Sequence, residues 1–145
     1  GNIMPVFATL GGLLSAAVTI LAVILYFYMG IKVGQMRGRH DIKAPAISGH
    51  PEFERAFRVQ QNTLESLPIF FALLWLATIY FHALAWLPAL IGLAWVIGRA
   101  LYMRGYMDAP EKRELGFGIA AACQILLLLL AIYGLVATWM AVNAA

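Results

Sequence analysis

SLPIFFALLWLATIYFHALAWLPALIGLAWVIG, residues 66–98, contains no Asp, Glu, Lys or Arg. As one helix its 33 residues would be about 50 Å long, against about 30 Å of hydrocarbon in a bilayer. The stretch is too long for one span and too apolar for a surface loop. Helical pattern also continues past both ends, back to Glu52 and on to Met107. Two helices joined by a tight turn near Phe81–Leu84 fit this pattern.

Two further stretches, 1–31 and 115–145, are equally free of charge. All ten Lys/Arg and all seven Asp/Glu lie in the windows 32–65 and 99–114. The chain is 63% hydrophobic and 12% charged, whereas a soluble domain carries about 25% charged residues. These features predict an all-α integral membrane protein. It should be a four-transmembrane-helix bundle forming one domain, 1–145, with helices at about 5–36, 52–81, 84–107 and 110–142. The segment Gly38–Pro51, with its glycines, prolines and mixed charge, reads as a loop of about 38–51. Ile42 and Ile47 are expected to tuck against the membrane.

Four spans put both charged windows on one side of the membrane and His82 on the other. The positive-inside rule makes the charged side cytoplasmic. The compact loops suggest a bacterial inner membrane. Gly1–Leu14 lacks a basic leader region, so the first segment is expected to be a retained helix. Trp75, Trp86, Trp95 and Trp139 are either interface anchors or packing aromatics. Cys123 lies in an apolar run and reads as a buried thiol. His40, His50 and His82 lack metal-ligand spacing, so no metal is expected. The basic residues are explained by topology and ligand, with no nucleic-acid motif.

Arg55, Arg58, Asn62 and Glu65 are spaced +3, +4, +3, which is one helix face. Ionised groups cost about 2.5–3.5 kcal/mol each inside a bilayer. They persist when they pair, face a bundle interior or bind something polar. This face is therefore either glue between helices or a pocket for a zwitterionic ligand. Arg99, Tyr102 and Tyr106 share a face of the third helix. Asp108 is expected to cap the fourth helix, with Pro110 and Glu111 in its first turn. One membrane side thus collects cations for carboxylates, a carboxylate for an amine, and amide and phenol groups. A small peptide-like anion suits that set.

PEFERAFRVQQNTLESLPIF (51–70) and GRALYMRGYMDAPEKRELGF (98–117) resemble the MAPEG family, the membrane-associated proteins of eicosanoid and glutathione metabolism. The resemblance is to its microsomal glutathione transferase and cysteinyl-leukotriene synthase branch, and it covers nearly the whole chain. It implies a homotrimer that binds glutathione as co-substrate between neighbouring subunits. It assigns Arg37, Arg58, Gln60, Asn62, Glu65, Tyr102 and Tyr106 to glutathione binding. It assigns Arg113 to catalysis, as the group that stabilises the glutathione thiolate. Thiols titrate near 8.5, and a nearby guanidinium or helix N-terminus favours the anion.

The implied activity is a membrane-bound glutathione transferase or glutathione-dependent peroxidase, acting on a hydrophobic electrophile or lipid hydroperoxide. Ser66 and Arg104 depart from the family pattern, and Asp108 stands where it could temper the positive field. The alternatives are a non-catalytic lipid-binding scaffold of the same family and a small transporter subunit.

Overall fold

A computed structural model describes residues 5–145 of the chain. A short 3₁₀ turn at Val6–Ala8 precedes four long helices: α1 (Leu10–His40), α2 (Pro51–Tyr80), α3 (Leu87–Asp108) and α4 (Glu114–Ala144). A second 3₁₀ turn, Pro110–Arg113, leads into α4. Each of the four is long and apolar enough to cross a membrane. The described residues contain no strand. The first four residues, part of the stretch read as leaderless, lie outside the described residues.

The helix ends differ from expectation for local reasons. α1 runs through Gly38 to His40 and stops where Asp41 adopts a left-handed conformation at φ 51°, its N–H bonded to the Arg37 carbonyl. Asp is one of the few side chains that tolerates this conformation. The loop therefore begins at Asp41. α2 starts at Pro51, with His50 Nδ1 accepting from the Glu52 N–H at 3.1 Å. The turn after α2 extends to Trp86, because Pro88 fits only the first turn of α3. Asp108 is the last residue of α3 rather than a cap for α4, and its carboxylate pairs with Lys112.

Buried positions recur at +3 and +4 steps: Phe53, Ala56, Val59, Thr63, Leu67, Phe70, Leu74 and Ala77 on α2, and Gly116, Ala120, Cys123, Leu127, Ala131 and Gly134 on α4. These seams meet in the core, while the outward faces carry exposed Leu, Ile, Val and Phe, as suits contact with lipid tails. α2 and α3 form the centre, and α1 and α4 flank them. Trp95 belongs to that core and anchors no interface. It is fully buried, stacked on Phe70 at 3.8 Å, and donates its N–H to Gln124. Trp86 and Trp139 are exposed. Cys123 is buried as expected. Ile42 is buried against Val33, Phe53 and Ala56, whereas Ile47 stays exposed.

α3 and α4 approach so closely that a Cβ on Gly116 would stand 2.6 Å from the Tyr102 Cα. Only glycine allows this, and the approach brings the start of α4 beside the tyrosines of α3. Both charged windows end up at one end of the bundle, where Arg55 Nε donates to the Met107 carbonyl at 3.2 Å.

Candidate functional site

At the charged end, Arg58 and Asn62 of α2, Tyr102 and Tyr106 of α3, and Arg113, Glu114 and Phe117 at the start of α4 line an open cavity of about 430 Å³. The i, i+4 spacings place each pair on one face of its helix. Tyr102 and Tyr106 meet edge to face at 5.6 Å between ring centroids. Phe117 lies 6.2 Å from Tyr102 and supplies an apolar wall.

Arg113 is the final residue of the 3₁₀ turn before α4. Its Nη1 donates to the Pro110 carbonyl at 2.9 Å, and its guanidinium lies 5.7 Å over the Tyr106 ring. Among the described residues that bond and that ring hold it where it lines the cavity. It sits at the positive end of a 31-residue helix, where an anion is favoured.

Five of the eight expected residues, Arg58, Asn62, Tyr102, Tyr106 and Arg113, are thus brought together. Three are not. Arg37 Nη1 donates to the Ala46 carbonyl at 2.8 Å, and its guanidinium lies 4.7 Å over the Phe53 ring. In the single chain it clasps the loop. Gln60 points toward α1, its Nε2 3.2 Å from where a Cβ on Gly30 would stand. Glu65 is exposed and lines no wall of this cavity.

Arg104 and Asp108 line a different groove with Lys112 and Leu115, and the Asp108 carboxylate pairs with Lys112. Glu114 does occupy the cavity wall. It and Phe117 were missed by spacing arguments, although both stand within one turn of Arg113. Thr63 was missed as well: it is buried in the α2 seam and accepts from Arg99 at 2.7 Å. No cluster of metal-ligating side chains occurs among the described residues.

The four helices define an integral membrane bundle with two arginines, an amide, two phenols and the Glu114 carboxylate around one cavity. A sequence profile described as the MAPEG family matches residues 15–133. The chain is 41% identical over 123 residues to the human protein named microsomal glutathione S-transferase 2, covering 85% of this chain and 82% of that one. It is 40% identical over 124 residues to leukotriene C4 synthase of Cavia porcellus, covering 86% and 81%. It is also 41% identical over 112 residues to an uncharacterized Synechocystis protein, covering 77% and 80%. The chain belongs to the MAPEG family.

Proposed function

We propose that this chain is a membrane-bound glutathione transferase. The observation that carries the reading is the convergence of Arg58, Asn62, Tyr102, Tyr106 and Arg113 on one cavity. Similarity to proteins named as a glutathione S-transferase and a leukotriene C4 synthase supports it.

Arg58 pairs with a glutathione carboxylate, Asn62 donates to a peptide oxygen, and the two phenols serve as adaptable partners. Arg113 holds the sulfur. An unperturbed thiol near pKa 8.5 is mostly protonated at neutral pH. The Arg113 charge, which is never lost by deprotonation, favours the thiolate. In conjugation that sulfur forms a bond to the electrophilic carbon, and the leaving group departs with the bonding electrons. With a lipid hydroperoxide the thiolate takes the terminal oxygen. A second glutathione then completes the disulfide, releasing alcohol and water. The apolar flank at Phe117 suits delivery of either substrate from the bilayer.

Glu65 and Arg58 are both exposed on a spanning helix. Leaving an ion against lipid costs about 2.5–3.5 kcal/mol. A neighbouring copy covering this face would remove that cost, which supports an oligomer; the family resemblance makes that oligomer a homotrimer. A trimer would also give Arg37, Gln60 and Glu65 a role: each would complete a cavity with an adjoining subunit. We assign the charged end to the cytoplasm on the strength of its ten basic residues, and the bilayer to a bacterial inner membrane.

The reading is tested by titrating glutathione into the detergent-purified protein and following thiolate absorbance in the ultraviolet. The wild type should show a thiolate signal, and Arg113→Ala should lose it together with roughly 10²–10³-fold in kcat, the usual effect of removing a group that stabilises developing charge. Full conjugation and peroxidase rates in Arg113→Ala would overturn the mechanism. Lipid binding without any glutathione binding would instead indicate the non-catalytic scaffold.

A further inference from the structure

Arg99 lies on α3, nine residues before its end and thus roughly 13 Å inside it. It is 1% exposed. A buried guanidinium is costly unless its charge is matched or used. None of the salt bridges among the described residues includes Arg99; these join Arg39 or His40 to Glu52 and Lys112 to Asp108. Its contacts are neutral. Nη2 donates to Asn62 Oδ1 and to Thr63 Oγ1, both at 2.7 Å, and the guanidinium lies 4.2 Å over the Tyr102 ring. Its Nε is buried without a partner.

Two of these three neighbours, Asn62 and Tyr102, line the cavity. Arg99 therefore stands directly behind the cavity wall and touches it from the protein side. A guanidinium only donates, so the Asn62 atom facing it is the oxygen. With that oxygen committed, the group Asn62 offers the cavity is its NH₂ donor. No acid among the described residues forms an ion pair with the buried charge, so its field reaches the cavity through a medium of low dielectric constant.

We infer that Arg99 is a positioning residue for the glutathione site, fixing Asn62 as a donor toward the ligand and lending unpaired positive charge to the thiolate from behind Tyr102. The inference rests on the glutathione reading above. It assigns Arg99 no contact with glutathione.

The test uses full-length protein in detergent with Arg99→Gln and Arg99→Lys. Glutathione affinity is measured by calorimetry, and the pH of half-maximal thiolate by ultraviolet titration, with thermal midpoints alongside. Arg99→Gln should weaken glutathione binding about tenfold, the size of one lost hydrogen bond to an oriented partner. Removing a cation disfavours the anion, so the thiolate midpoint should also rise, by about one pH unit. Arg99→Lys keeps the charge but cannot hold Asn62 and Thr63 with one planar fork. It should bind glutathione more weakly at an unshifted midpoint.

Lower thermal stability with wild-type affinity and midpoint in both variants would reduce Arg99 to helix glue and overturn the inference. Should Arg99→Gln not fold, Arg99→Lys decides alone: weakened affinity supports the inference and wild-type affinity overturns it. A wild type that binds no glutathione removes both readings. A wild type that forms thiolate beside unaffected Arg99 variants removes only this one.

Discussion

The two ends of the bundle differ in the polar groups they leave unpaired. Toward the far end, Ser15 and Thr78 hydroxyls bond at 2.7 Å, Thr78 also donates to the Leu74 carbonyl, and Trp75 donates to Thr19, which in turn bonds the Ser15 carbonyl. These bonds stay within α1 and α2. At the charged end, the Arg58 guanidinium and the hydroxyls of Tyr102 and Tyr106 make no hydrogen bond among the described residues, and all three line one cavity. Lipid cannot satisfy such groups. Paired polar groups inside a bundle hold helices together, whereas unpaired ones around a cavity are left open to solvent or a ligand.

If that division is right, stability and thiol chemistry separate by region. Trp95→Ala should show the largest effect on stability. It removes a fully buried ring stacked on Phe70 and leaves Gln124 without its donor. A loss of about 3–5 kcal/mol is expected for such a truncation, read from unfolding in denaturing detergent. Whatever fraction stays folded should keep the wild-type thiolate midpoint. Arg113→Ala should do the reverse, since Arg113 is exposed and, among the described residues, makes one hydrogen bond, to Pro110. Its thermal midpoint should match the wild type. A Trp95→Ala protein that melts normally but loses thiolate would break the comparison.

The bundle was legible because charge is absent where the chain crosses lipid and crowded where it does not. Boundaries were less so: the end of α1 coincides with one left-handed Asp41, and the α3–α4 junction with Ala109, held extended by the following Pro110, neither of which is encoded by apolar periodicity. The site was half legible. Spacing put Arg58 and Asn62 on one helix face and Tyr102 and Tyr106 on another. The same spacing carried Glu65 along, although the α2 seam turns it away from the cavity. Arg99 shared its helix face with the tyrosines, yet sequence could not say that it points inward to Asn62 and Thr63. That outcome is decided by the close approach of α2 and α3.

Arg58→Ala sharpens the functional side. Arg58 is exposed and makes no hydrogen bond among the described residues, so its loss should leave the thermal midpoint unchanged. Glutathione affinity should fall about tenfold, as for one charge-assisted contact, with little change in the thiolate midpoint. A large midpoint shift would mean that Arg58 shares the task assigned to Arg113.

The smallest effect tests the structural side. Ser15→Ala removes one half of the Ser15–Thr78 bond, but Thr78 keeps its acceptor in the Leu74 carbonyl. No buried donor is orphaned, so the cost should be near the average for hydrogen bonds between membrane helices, about 0.6 kcal/mol. A double-mutant cycle with Thr78→Val isolates the pair. Coupling of that size, with glutathione affinity untouched in every variant, is the result expected of helix glue. Coupling near zero would leave apolar packing to hold α1 on α2. A change in glutathione affinity would join the two ends of the bundle, and the separation between glue and site would no longer stand.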